Sequence, residues 1–219
     1  MAPRKVFEME LNQLHNELLR MGSIVEKQIN QCIKALAEQD VKLAEEVIKN
    51  DDMVDKLMRE IEDKSIKLIA MQQPIATDLR FIFTCINIVT DLERMADHAV
   101  DIAKIAIRLK EQAYIKDLID IPRMGSIVID MIKEALDAYV ERDLDRAYEI
   151  SKRDDVIDKI YKDVFGEMFT VMAQDTSKIE QGTQFLFVCK FLERIADHVT
   201  NICEWTIYIV TGEQVDLNE

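Results

Sequence analysis

The sequence predicts an all-α protein built from two copies of a three-helix unit, and two observations carry that prediction. Five glycines and three prolines in 219 residues are about a third of what average usage would give. The turn residues that many strands and tight loops require are therefore missing. In addition, the segment 21–25, MGSIV, recurs at 124–128, and self-similarity at a fixed offset indicates repeated structural units.

The duplication runs through nearly the whole chain. Four aspartates recur at the offset of the first repeated segment: Asp40, Asp51, Asp52 and Asp55 match Asp143, Asp154, Asp155 and Asp158. Further on, LERMADH at 92–98 returns as LERIADH at 192–198, at an offset three residues shorter. The second copy therefore has a shorter connection, and we place the two repeats at 1–114 and 115–219.

Each repeat is predicted to contain three helices. Asp40 and Asp143 precede strong helical patterns as N-caps, and Pro74 and Pro122 stand where a helix cannot simply continue. The expected helices are 5–38, 41–71, 76–112, 121–141, 144–174 and 178–211. Since a helix of about thirty residues is about 45 Å long, we expect two elongated antiparallel bundles that share an axis or pack end to side. The sequence leaves their mutual arrangement open.

Charge and hydropathy restrict the class of protein. The chain has 28 Lys and Arg against 42 Asp and Glu, a net charge of -14, which argues against nucleic-acid binding and favours cations or basic partners. No run of about eighteen apolar residues is present, and the first residues lack the apolar stretch of a secretory signal. These features predict a cytoplasmic protein without a membrane-spanning segment.

Side chains that often carry chemistry give little sign of catalysis. The four cysteines form no CxxC pair, so we expect them in the core. No phosphate-binding, nucleophile-elbow or HExxH motif is present, and we predict that the protein is not an enzyme. We assign no ligand role to His15, His98 or His198. Trp205 and Tyr208 fit either helix packing or a protein contact, and packing is the commoner use.

Carboxylates interrupt apolar rows that otherwise read as helix-packing faces. In the third helix the only polar member of one row is Glu93, within Ile82, Ile86, Val89, Glu93, Ala96, Val100, Ala103 and Ile107. The sixth helix repeats this with Glu193, while Asp51 and Asp154 interrupt the apolar stripes of the second and fifth helices. A buried unpaired carboxylate costs several kcal/mol or takes up a proton. A charge at such a position therefore needs a partner.

Neighbouring oxygen donors extend both sets. Residues spaced by four turn about 40° round a helix at each step, so the acids fan from the core edge towards solvent. The candidate metal ligands are Asp51, Asp55, Glu93, Asp97 and Asp101 in the first repeat, and Asp154, Asp158, Glu193, Asp197 and Asn201 in the second. Oxygen-only ligands suit Mg²⁺, Mn²⁺ or iron better than Zn²⁺. We predict a metal site in each repeat, with room for more than one ion.

Two other interpretations fit the same acids. In a purely structural bundle, acidic pairs four apart form a solvated face, or Arg94 and Arg194 turn inward to pair with carboxylates of neighbouring helices. A di-metal carboxylate oxidase of the ferritin-like kind also buries acids in a helical bundle. The Glu-x-x-His pair typical of that class is missing from the candidate helices.

Two copies of a three-helix unit, each with D-D-x-x-D on its middle helix and L-E-R-x-A-D-H on its third, resemble the PhoU family. The resemblance covers almost the full chain and is closest to the stand-alone form of the family. It implies a cytoplasmic negative regulator of phosphate uptake that acts with the ATPase subunit of the phosphate ABC transporter and with a sensor histidine kinase. It also implies multinuclear metal sites on the acidic motifs, and we expect a homodimer.

Overall fold

In the computed structural model, which describes residues 3–218, every regular element is helical. The elements are α1 Pro3–Glu38, α2 Val41–Gln72, α3 Ala76–Arg108, α4 Asp120–Glu141, α5 Leu144–Ser151, α6 Asp154–Gln174, a 3-10 turn Thr176–Lys178 and α7 Ile179–Thr211. The predicted all-α class is confirmed, and α5 with α6 takes the place of one predicted helix.

The predicted N-caps are confirmed. The Asp40 side chain accepts a hydrogen bond from the Leu43 amide at 3.1 Å, and Asp143 accepts one from Arg146 at 3.0 Å. Each carboxylate satisfies one of the amides that have no partner inside the helix. Pro122 lies in the first turn of α4, where the missing proline N–H costs nothing.

Two predicted helix bounds are wrong. The third helix ends at Arg108 rather than at 112, and the predicted helix 144–174 is interrupted at residues 152–153. At the interruption the Arg153 amide donates to Ile150 at 2.9 Å, a tighter i→i+3 bond than the α-helical one. The Arg153 guanidinium binds both oxygens of Glu134 on α4, at 2.7 and 2.9 Å.

The two repeats lie side by side. Helices α1, α2 and α3 pack on one another, and α7 packs on α4, α5 and α6. Between the repeats, α3 packs along α7 and α1 along α4, so a single set of buried residues links both halves. This side-by-side packing is neither the shared axis nor the end-to-side packing expected from the sequence. The division of the chain at 114/115 stays a prediction.

The repeated glycine explains how α1 and α4 approach each other. A Cβ on Gly22 would come within 2.4 Å of Leu136, and a Cβ on Gly125 would come within 2.2 Å of Ile33. Leu136 and Ile33 are themselves matching positions of the duplication. Each repeat therefore receives an aliphatic side chain from the matching position of the other, as expected for a twofold relation.

Two further features predicted from the sequence concern the cysteines and membrane-spanning helices. All four cysteines are buried and free, which confirms their assignment to the core. Within the described residues 3–218, no helix combines the length and the apolar character needed to cross a membrane.

Candidate functional site

The structure brings four of the predicted ligands of the first repeat together. Asp51 and Asp55 of α2 face Glu93 and Asp97 of α3, and we call this group the first acidic cluster. Burial raises the pKa of Asp51, and the negative charges of Asp97 and Asp55 raise it further. Burial likewise raises the pKa of Glu93, with a smaller contribution from Asp97. The mutual repulsion places the four carboxylates near one another at the boundary between α2 and α3.

Basic residues of the same helices neutralise part of this charge. Arg59 binds Asp55 at 2.8 Å, and Arg94 lies 3.5 Å from Glu93 and 3.6 Å from Asp97. The Arg94 side chain is 58% exposed, so it pairs from the solvent side with acids of its own helix. This differs from the inward pairing of Arg94 with a neighbouring helix, which was one of the two forms of the structural interpretation.

The second acidic cluster consists of Asp154, Asp158, Glu193 and Asp197, from α6 and α7. Burial raises the pKa of Asp154 to about 7, and the charges of Asp197, Asp158 and Glu193 contribute to the shift. One oxygen of Asp154, Oδ1, is buried and has no hydrogen-bond partner. Such an oxygen must take a proton or a cation to avoid the cost of burying an unpaired charge.

Lysines approach this cluster from its own helices. Lys190 donates to both oxygens of Glu193, at 2.6 and 2.5 Å, and Lys162 pairs with Asp158 at 2.9 Å. Glu193 is only 12% exposed, so its pair with Lys190 is partly removed from solvent. Burial followed by the charge of Glu193 raises the pKa of Asp197. Within the described residues neither Asp154 nor Asp197 forms a salt bridge with a basic side chain, and Asp154 is the member of the cluster with a buried oxygen that has no hydrogen-bond partner.

Two predicted ligands have hydrogen-bond partners outside the four carboxylates of each cluster. The Asp101 carboxylate pairs with Lys104 at 3.1 Å on the same helix. The Asn201 side chain donates to Asp91 at 2.9 Å and accepts from Asn218 at 3.1 Å. Both side chains are therefore engaged elsewhere, and their role as ligands stays a prediction that these contacts do not favour.

Sequence reasoning missed Asp91, which is 8% exposed and lies between the repeats. Its carboxylate accepts hydrogen bonds from three side chains of α7: His198 at 2.9 Å, Asn201 at 2.9 Å and Trp205 at 3.2 Å. The matching residue of the second repeat is Phe191. This difference between the copies was the available signal, and Trp205 is shown to serve packing and hydrogen bonding between the repeats.

The two motif histidines also meet different partners. His198 bonds the Asp91 carboxylate, whereas His98 stacks on the Phe191 ring with 5.4 Å between centroids. Burial lowers the pKa of His98 to about 4, with the positive charge of His198 as the next cause. Both imidazoles thus contact the other repeat rather than the Glu and Asp carboxylates of their own motif.

Both clusters offer only carboxylate oxygens, the donors that hard cations prefer. Within residues 3–218, no three or more Asp, Glu, His or Cys side chains are arranged to ligate one ion. The unpartnered Asp154 oxygen and the raised pKa values of Asp51 and Glu93 nevertheless fit an added cation. Ligation requires the side chains to leave their lysine and arginine partners.

Comparison with known proteins matches this architecture from end to end. The family model described as PhoU domain matches residues 18–106 and 121–206. The phosphate-specific transport system accessory protein PhoU homolog of Clostridium acetobutylicum is 58% identical, over 99% of this chain and 99% of its own. The chain belongs to the PhoU family. The PhoU homolog of Streptococcus pneumoniae is 35% identical, over 98% of this chain and all of its own.

Solved PhoU structures have the same fold. The crystal structure of PhoU from Pseudomonas aeruginosa has a TM-score of 0.91 at 36% identity and covers 94% of this chain and all of its own. The structure of the phosphate transport system regulatory protein PhoU from Streptococcus pneumoniae has a TM-score of 0.90 at 33% identity, over 96% and 99% of the two chains. The two matched PhoU ranges contain the first and second acidic clusters respectively.

Proposed function

We propose that this protein is a cytoplasmic, homodimeric negative regulator of phosphate uptake and of phosphate-starvation signalling. It acts by contact with the ATPase subunit of the phosphate ABC transporter and with its sensor histidine kinase, and it catalyses no reaction. The observation that carries the proposal is the match at 58% identity, over 99% of both chains, with a protein named as an accessory of phosphate-specific transport.

The proposal includes a metal site in each repeat. Its support is the grouping of four carboxylates in each acidic cluster, together with the buried Asp154 Oδ1 that has no partner. Bound iron, Mn²⁺ or Mg²⁺ would supply positive charge that relieves the repulsion among these acids. The chain's own side chains would hold the ion, and its role is to order the faces that partners contact.

Exposed apolar side chains supply candidate contact faces. On the first repeat, Leu79 and Phe83 line a groove of about 570 Å³ with Tyr208 of the second repeat. On the second repeat, Phe165 and Phe169 of α6 are 49% and 65% exposed. Aromatic residues are enriched in protein interfaces, so these faces are suited to the transporter and kinase contacts.

A genetic experiment tests the regulatory role. Deleting the gene should release a phosphate-starvation reporter at high phosphate, and the wild-type protein should restore repression. The double variant Phe165→Ser/Phe169→Ser should fold normally, because both side chains are exposed. It should restore less repression, because it removes an apolar face proposed to contact a partner. Full repression in the deleted strain at high phosphate would contradict the proposal.

A direct measurement tests the metal sites. Elemental analysis of protein purified without a metal-affinity tag should find metal that is lost in Glu93→Ala/Glu193→Ala. The matched control is Glu60→Gln/Asp163→Asn, two exposed acids at equivalent positions of the two repeats. Retention of metal in the Glu93/Glu193 variant, or absence of uptake by the wild type, would leave the acids with a structural role only.

A further inference from the structure

A cavity of about 670 Å³ lies at the end of the molecule where α1 and α3 begin and α4 and α7 end. Three arginines line it: Arg4 of α1, Arg80 of α3 and Arg142, which caps α4. Its acidic lining residues are Glu8 and Asp78. In a chain with a net charge of -14, a cavity with more arginines than acids is an exception.

The two acids are already occupied. Arg4 binds Asp78 at 2.8 Å and Glu8 at 3.0 Å, so a single arginine takes both carboxylates. Arg80 and Arg142 form no salt bridge or side-chain hydrogen bond with any residue of 3–218, and the Nε atom of Arg80 is buried without a partner. Two guanidinium groups therefore face the cavity with their hydrogen-bonding capacity unused.

The equivalent place at the other end of the molecule is filled by the chain itself. Gln39 matches Arg142 in the duplication, and both have a left-handed backbone, with φ of 53° and 55°. The side-chain amide of Gln39 donates to the backbone carbonyls of Leu109 and Gln112, each at 2.8 Å. The connection between the repeats continues over this end, where the Ile115 amide donates to Gln181 at 2.6 Å.

Among residues 3–218, no such connection covers the arginine cavity. After α7 the chain turns back along that helix, where the Leu217 amide donates to Glu204 at 2.8 Å. The residues that match Arg80 and Phe81 at the filled end are Glu180 and Gln181. The duplication thus places two unpaired arginines and an aromatic ring where the other end has a glutamate, two glutamines and its own chain.

We propose that this arginine cavity binds a small molecule that carries a phosphate ester. Planar guanidinium groups match the geometry of phosphate oxygens. Three arginines and two acids give the cavity a net charge of +1, which offsets part of the nearly doubly negative charge of a phosphate monoester. The volume is within the range of small-molecule sites and exceeds that of a bare anion. Leu11, Phe81, Ile209 and Val210 also line the cavity and can cover an apolar part of the ligand.

Two substitutions change the arginines of the cavity. Arg142→Gln introduces the residue that the first repeat has at the matching position and the same backbone conformation. Gly212→Ala keeps the charge but moves Arg80, because a Cβ on Gly212 would come within 2.2 Å of Arg80 Nη1. Since Gly212 has a φ of 81°, alanine also strains the end of α7, and a thermal melt of this variant measures that cost separately. The matched control is Arg123→Gln, an exposed arginine at the opposite end of α4.

Calorimetric titration of the metal-free, full-length protein with AMP, adenosine and inorganic phosphate tests the proposal. We expect AMP to bind, adenosine to fail, and Arg142→Gln and Gly212→Ala each to weaken AMP at least about tenfold, while Arg123→Gln leaves the affinity unchanged. Binding of inorganic phosphate as tight as that of AMP would identify the free anion as the ligand of the same arginines. No binding of either anion, equal binding of adenosine, or full affinity in both cavity variants would overturn the proposal.

Discussion

The two acidic clusters contain the same types of residue at matching positions, yet their surroundings differ. In the first, α2 runs without interruption past Asp51, and Arg94 bridges Glu93 and Asp97 from solvent. In the second, a helix begins at Asp154 after a break, and one Asp154 oxygen is buried without a partner. The duplicated motif therefore preserves the carboxylates and gives each cluster two basic partners, but within residues 3–218 one carboxylate oxygen is buried without a partner in the second cluster alone.

The same contrast extends to the histidines beside each cluster. His198 reaches the Asp91 carboxylate across the boundary between the repeats, while His98 reaches the Phe191 ring. One substitution at a matching position thus converts a polar contact into an aromatic one. The contrast teaches that the repeats share a backbone plan while their contacts with each other are specialised, and the following variants test it.

The largest effect is expected for the polar contact between the repeats. Asp91→Ala removes the acceptor of three α7 side chains and should lower the free energy of unfolding by about 3 kcal/mol. Asp101→Ala, which removes an exposed pair with Lys104, should cost less than about 0.5 kcal/mol. Urea denaturation measures the free energy of unfolding of both variants. Equal losses would show that the polar contact between the repeats stabilises the protein no more than an exposed ion pair.

The second largest effect is expected for the stabilisation of each cluster by added metal. If each cluster binds a cation, Mn²⁺ at about ten times its dissociation constant adds roughly 1.4 kcal/mol per site. Asp154→Ala should lose more of this gain than Asp51→Ala, because the unpartnered oxygen belongs to Asp154. Thermal melts with and without Mn²⁺ measure the difference, with Glu60→Gln as a control that should keep the full gain.

Without metal, the pH dependence of stability should be larger for the second acidic cluster than for the first. The folded-state pKa of Asp154 is raised from 3.8 to about 7, so the folded protein holds more protons than the unfolded chain in this range. Stability contributed by Asp154 is then present below pH 4 and is lost as the pH rises to 7. Asp154→Asn should therefore stabilise the metal-free protein at pH 8, by about 1 kcal/mol after solvent screening.

The control for this titration is the other cluster. The pKa of Asp51 is raised by the same kind of causes, so Asp51→Asn should stabilise in the same direction but by less. Denaturation curves at pH 5 and pH 8 measure both variants. A gain for Asp154→Asn that is as large at pH 5 as at pH 8 would show that the charge of Asp154 is not its cause.

The smallest effect is expected at the helix break. Arg153→Ala removes the two bonds to Glu134 and should cost about 0.5 kcal/mol, since both side chains are partly exposed. Asn50→Ala, at the matching position of the unbroken helix, should have no measurable cost because its side chain is exposed. A cost at Asn50 equal to that at Arg153 would contradict the assigned role of the Glu134 pair.

Much of the candidate site was predictable because helix periodicity places each side chain on a face. The apolar rows singled out Glu93, Glu193, Asp51 and Asp154, and the spacing of four added their neighbours. Eight of these carboxylates lie in the two acidic clusters. Asp101 and Asn201 were included because they continue the spacing of four, but each step turns them further from the cluster. Their partners, Lys104 and Asp91, then decide where they point.

By itself the sequence determined the helical class, the duplication, both aspartate N-caps and the acids that interrupt apolar rows. These are local properties, since they follow from spacing along one helix and from comparison of the chain with itself. Only the tertiary structure decided the side-by-side packing of α3 on α7, the role of Asp91 and the arginine cavity. Each of these joins residues far apart in the chain, and no local pattern specifies which helix faces meet.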